Sequence, residues 1–131
     1  MLAKAALKAE LYSKKDKISF LCEDITAFGH HNAGAIILNY TMQFIRPLKR
    51  QAFLELLFKC LRPGGILIMS EKVITPDKRL NREYIELYHQ FKKAMGYSEL
   101  EIAKKREALE NVLIPFSIEE NKAMLQDSGF N

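Results

Sequence analysis

Few residues in this chain are of a type to do chemistry, and most of them also have an ordinary structural explanation. Asp24 follows a short apolar run at residues 18–22. There a carboxylate can accept a hydrogen bond from an amino group while the next backbone amide donates to a ring nitrogen. Adenine offers both partners, and a loop aspartate capping its own turn is the alternative that the pattern leaves open. Arg106 lies in a helical stretch whose apolar face reads as Leu100, Ala103, Leu109 and Val112 or Leu113. Its guanidinium either pairs with Glu110 four residues on, as a solvated helix charge, or grips a carboxylate through two parallel bonds. The adjacent His30 and His31 cannot readily share one metal, and Glu86 with His89 makes a two-ligand pair of the kind usually found as a surface contact. Cys22 and Cys60 sit in apolar stretches without motif spacing and read as buried reduced thiols. No glycine-rich nucleotide loop and no nucleophile elbow is present.

The elements that must position these residues centre on residues 34–73. Residues 35–39 are an isoleucine-rich run closed by a polar residue, which reads as a strand buried on both faces. Pro47 suits a first helical position, and Phe53, Leu56, Leu57, Cys60 and Leu61 then recur at helical spacing. Pro63, Gly64 and Gly65 stop that helix in a turn, and residues 66–69 read as a second strand. Strand, crossover helix and strand build a parallel sheet, whose ligands bind beyond the carboxyl ends of the strands. The residues to watch are therefore Asn39, Tyr40 and Thr41 after the first strand, and Ser70 and Glu71 after the second. Residues 2–12 predict a short amphipathic helix, residues 18–22 a strand, and residues 26–32 a loop.

Beyond Val73 the pattern turns helical. Thr75 and Pro76 predict a helix start, followed by a stripe of Leu80, Tyr84, Leu87, Tyr88 and Phe91. Core packing is the expected role of Tyr84, Tyr88 and Phe91, with a place against a pocket as the alternative. Ser98 with Glu101, and Ser117 with Glu120, have capping-box spacing, and the last helix ends at Ser128 and Gly129. Three helices with no strand between them predict a cover over the ligand end of the sheet.

A chain of 131 residues is long enough for one domain with a real core. No apolar run approaches the roughly 20 residues of a membrane-spanning helix, so no membrane partner is expected. The net charge of +4 is spread over clusters such as Lys14, Lys15 and Lys17, with acidic residues between them. No aromatic stacking pattern accompanies these clusters, so direct tRNA or other nucleic-acid binding is not expected.

The runs LNYTMQFI, LRPGG and SEK, followed by FKKAMGYSELEIAKKREALENV, resemble the carboxy-S-adenosylmethionine synthase family over almost the whole chain. LRPGG alone is common to class I methyltransferases, whereas the GYSELE stretch is more specific. The resemblance implies an α/β fold: part of a class I methyltransferase, Rossmann-like parallel sheet with a helical cover, lacking the first strands and the final strand hairpin. Residues 1–131 would then be a single incomplete S-adenosylmethionine-dependent domain, cytoplasmic and homodimeric, since unpaired sheet edges template association. It implies a reaction in which S-adenosylmethionine and prephenate give carboxy-S-adenosylmethionine and phenylpyruvate, in a pathway of tRNA wobble-uridine modification. Asp24 and Ile25 match the family's adenine contacts, Asn39 another cofactor contact, and Arg106 the arginine that pairs with the added carboxylate. The alternatives are an ordinary S-adenosylmethionine-dependent methyltransferase, which needs no such charge, and a truncated chain that folds without turnover.

Overall fold

A computed structural model describes residues 1–27, 29 and 32–131, so the readings made for His30 and His31 lie outside the described residues. The chain divides into two compact units, Met1–His30 and His31–Asn131.

In the first unit, α1 (Leu2–Leu11) forms where the alanines and leucines predict it and buries Ala9. Single turns of 3-10 helix follow at Lys15–Lys17 and Ile25–Ala27. Residues 18–22, expected as a strand, are in neither helix nor strand, and Ile18, Phe20 and Leu21 are exposed. A strand exists only against a hydrogen-bonded neighbour, and no described residue forms a ladder with this segment. Cys22, expected to be buried, is exposed for the same reason, whereas Cys60 is buried.

The second unit is built on the expected crossover. β1 (Ala33–Asn39) and β2 (Leu61–Ser70) pair in parallel, running in register from Ala35 opposite Ile66 to Asn39 opposite Ser70. Between them α2 (Pro47–Cys60) starts with proline at its first turn, where a missing N–H leaves no bond unmade. Leu61 to Gly65 belong to β2 rather than to a separate turn. Ala33 faces Leu61 while Ala35 faces Ile66, so the chain bulges between them. Gly64 has φ +75°, and a Cβ on Gly65 would lie 2.9 Å from the Arg62 carbonyl oxygen and 3.0 Å from that of Ala33. The bulge therefore requires both glycines.

Leu38, Met42, Ile45, Phe53, Leu54, Leu57 and Met124 form the core, flanked by Ile36, Leu67 and Met69. The first strand was expected to be buried on both faces, but only one face of the sheet is covered: Ile37 is exposed, as are Ile66 and Ile68 of β2. Continuous apolar runs like these are typical of strands with two covered faces, and the described residues supply a layer for one.

Asp77, not Thr75 or Pro76, caps α3 (Lys78–Ala94), its carboxylate accepting from the amides of Arg79 and Leu80. Both capping boxes form as the spacing predicts, Ser98 with Glu101 opening α4 (Glu99–Leu109) and Ser117 with Glu120 opening α5 (Ile118–Asp127). α5 packs on α2 and sends Met124 into the core, so it is not part of a cover over the ligand end. The principal packing of α3 and α4 is against each other. The stripe of Tyr84, Leu87, Tyr88 and Phe91 is exposed rather than in the core, because no described element lies against it. The architecture is mixed α/β on a parallel sheet, consistent with a partial Rossmann-like methyltransferase fold. No described helix is long and apolar enough to cross a membrane.

Candidate functional site at the strand rim and the α3–α4 cleft

Asn39 is the last residue of β1, side by side with Ser70 at the end of β2, and is exposed. Its carboxamide makes no hydrogen bond among the described residues, so both its donor and its acceptor face outward unspent. Tyr40 follows with φ +53°, a left-handed conformation uncommon for a residue with a Cβ, and its amide donates to the Ser70 carbonyl at 2.7 Å. The next turn is held from β2. Glu71 Oε1 accepts from the amides of Thr41 and Met42, both at 2.7 Å, and Oε2 from that of Gln43 at 3.3 Å. Gln43 returns the contact, its Oε1 accepting from the Lys72 amide at 3.3 Å.

Arg50 braces this rim from beneath and is the residue that sequence reasoning missed. Only 1% exposed, it donates to the carbonyls of Ile45 at 2.8 Å, Ile114 at 2.6 Å and Gln43 at 3.4 Å. Its guanidinium stacks 4.2 Å from the centre of the Phe116 ring. Burial lowers its pKa from the ordinary arginine value, an effect opposed by the charges of Glu71 and Glu120. In the sequence Arg50 reads as one of a basic cluster with Arg46 and Lys49. The signal that could have found it is its spacing, on the same helical face as Phe53, Leu54 and Leu57.

Arg106 stands elsewhere in this unit, on a cleft of about 580 Å³ between α3 and α4. His89 and Lys93 line one wall; Glu99, Ile102, Ala103, Arg106, Glu107 and Glu110 line the other. The side of α4 that packs is set by Ile102, with half-buried Leu109 seven residues on, and not by Leu100 of the face read from the sequence, because Leu100 is exposed and Ile102 is buried. Arg106, four residues after Ile102, shares its side of α4 and lines the cleft. It forms no ion pair with Glu110, nor any other hydrogen bond or ion pair among the described residues. Lys93, by contrast, is paired with Glu99 at 2.6 Å and holds that carboxyl below the usual glutamate range. The cleft thus keeps one unpaired guanidinium, while no residue of β1 or β2 lines it.

Asp24 and Ile25 belong to the first unit. Asp24 Oδ1 accepts from the Thr26 amide at 2.9 Å and from the Thr26 hydroxyl at 2.7 Å, the turn-capping arrangement, and Ile25 opens the 3-10 turn beside it. Among the described residues no group of three or more histidine, cysteine, aspartate and glutamate side chains gathers to hold a metal.

No family model matches the chain. It is 63% identical over 130 residues to a carboxy-S-adenosyl-L-methionine synthase from Desulfotalea psychrophila, a match covering 99% of this chain and 53% of that protein. It is 48% identical over 131 residues to the synthase of that name from Helicobacter hepaticus, and 47% identical over 130 residues to the one from Nautilia profundicola. These matches cover 54% and 55% of the two proteins, so the chain spans about half the length of the curated relatives it matches. At such identity along the whole of its own length, the chain belongs to the carboxy-S-adenosyl-L-methionine synthase family.

Proposed function

We propose that these 131 residues are the carboxyl-terminal part of an enzyme that makes carboxy-S-adenosylmethionine and phenylpyruvate from S-adenosylmethionine and prephenate, for use in tRNA wobble-uridine modification. The observation that carries this reading beyond kinship is the unpaired Arg106, which lines a cleft where every other wall charge is acidic or belongs to Lys93 or His89. A guanidinium matches a carboxylate bidentately, and the product carries a carboxylate on the sulfonium carbon where S-adenosylmethionine has only a methyl group. Within the second unit Asn39 fits the cofactor's chemistry, since it offers an open donor and acceptor at the strand rim.

The reaction balances without a further reagent. Decarboxylation breaks one carbon–carbon bond of prephenate, aromatisation expels its ring hydroxyl as hydroxide, and a proton lost from the sulfonium methyl group makes water of it. The released carbon dioxide takes the methyl carbon's new bond. The chain's own share is to hold the adenosine end through Asn39 and the new carboxylate through Arg106. A second copy of the chain is part of this reading. Tyr84, Leu87, Tyr88 and Phe91 on α3, with Met95 just past its end, form one exposed apolar stripe, which a homodimer interface would bury.

The test is an enzyme in which residues 1–131 replace the matching residues of the Desulfotalea psychrophila relative. It is expected to form the carboxylated cofactor from S-adenosylmethionine and prephenate. Arg106→Ala should reduce that product about ten- to a hundredfold, the worth of a hydrogen bond to a charged group. Undiminished product in the Arg106→Ala enzyme would overturn the assignment, as would a folded parent enzyme with no product.

A further inference from the structure

We infer that Glu71 is a positioning residue for cofactor binding, acting through the turn after β1 to hold Asn39 and Tyr40 in their presenting geometry. This rests on the reading of Asn39 as a cofactor contact and extends it to a residue that touches no ligand itself.

Three observations lead there. Glu71 reaches back from the end of β2 and takes three consecutive backbone N–H groups, those of Thr41, Met42 and Gln43. Carboxylate bonds to backbone amides are among the stronger hydrogen bonds, and three on one side chain fix both the place and the tilt of the turn. Secondly, Tyr40, between Asn39 and that turn, is held at φ +53° while the residue is 61% exposed. A side-chain-bearing residue stays in that conformation only when its surroundings over-determine it. Here they do so from both sides, through the Ser70 carbonyl on the Tyr40 amide and Glu71 on the residues that follow. Thirdly, the clamp joins the carboxyl ends of two neighbouring parallel strands, the rim where ligands of such sheets bind. The core lies beneath the clamp and does not need it. Met42 and Ile45 are packed by α2, and Arg50 secures Gln43 and Ile45 separately. Release of Glu71 therefore frees the Asn39–Thr41 backbone above a core that stays assembled.

Amide resonances of the 131-residue chain give a test free of catalysis. In Glu71→Ala the Asn39 side-chain amide and the backbone amides of residues 40–43 should shift and their hydrogen exchange accelerate, while the amides of Leu54 and Leu57 stay as they are. An unchanged Asn39 signal overturns the inference.

In the full-length enzyme described above, Glu71→Ala should raise the KM for S-adenosylmethionine about ten- to a hundredfold, the usual effect of a displacement near 1 Å, and leave the KM for prephenate within about threefold. Glu71→Gln keeps an oxygen for Thr41 and Met42, so it should restore most of the affinity. Leu54→Ala, which destabilises the same unit from its core, should leave both KM values unchanged below its melting temperature. Equal loss in the Gln and Ala variants, or a Leu54→Ala enzyme with the same KM change, makes the role merely structural. Asn39→Ala separates the two readings. If it binds S-adenosylmethionine normally, the cofactor-contact reading fails. If it loses affinity while Glu71→Ala does not, only the positioning role fails.

Discussion

Arg50 shows how much a single side chain can hold in this chain and why its neighbours in sequence gave no warning. Arg46, Lys49 and Arg50 look alike as letters, but only Arg50 falls on the face of α2 that turns inward, where a charge survives by spending its donors on carbonyls. The consequence is measurable. Arg50→Met keeps the bulk and removes the donors, leaving the carbonyls of Ile45 and Ile114 without this partner. It should lower the urea-unfolding free energy by about 3 kcal/mol, on the scale of one to two buried acceptors left unpaired. A loss below about 1 kcal/mol would mean that water or backbone shifts replace the guanidinium. Asn39 and Glu71 were legible in the sequence because each closes an apolar run, which fixes the strand end. Their division of labour was not, since the reach of Glu71 to Thr41 depends on two strands lying side by side.

At the scale of elements, local rules read well and long-range rules less so. The two capping boxes form because each needs only four consecutive residues, whereas residues 18–22 have the composition of a strand and no ladder to join. Face assignment failed on α4 because Leu100 and Ile102 are both apolar and only the packing against α3 decides between them. The capping boxes carry a pH dependence of definite sign. The backbone amide and then the hydroxyl of Ser98 hold the Glu101 carboxyl below the ordinary glutamate range, and Ser117 does the same for Glu120. A carboxyl whose pKa is lowered by folding contributes stability in full above the unfolded value of about 4.3, and that contribution disappears as pH falls through the folded value. Urea midpoints followed from about pH 6 down to about pH 3 should therefore fall less steeply in Glu101→Gln with Glu120→Gln than in the parent chain. Parallel curves would remove the two boxes as the source.

For the molecule as a whole, the informative surfaces are those that the sequence marks as interior and the structure leaves open. The α3 stripe and the outer face of Ile37, Ile66 and Ile68 carry core-type residues in exposed positions. Composition alone cannot separate such surfaces from a core, because burial depends on which layer arrives. Light scattering of the chain at high concentration should report a dimer, and Leu87→Lys with Tyr88→Glu should return it to monomer. A monomeric parent chain would count against a second copy as the occupant of the stripe. The two cysteines add a practical corollary. Cys60, the last residue of α2, is buried while Cys22 stands in solvent two positions before Asp24. A thiol-directed fluorophore will therefore label one site without mutagenesis, and a change in its emission on adding S-adenosylmethionine is the measurement that would test an adenosine contact at Asp24.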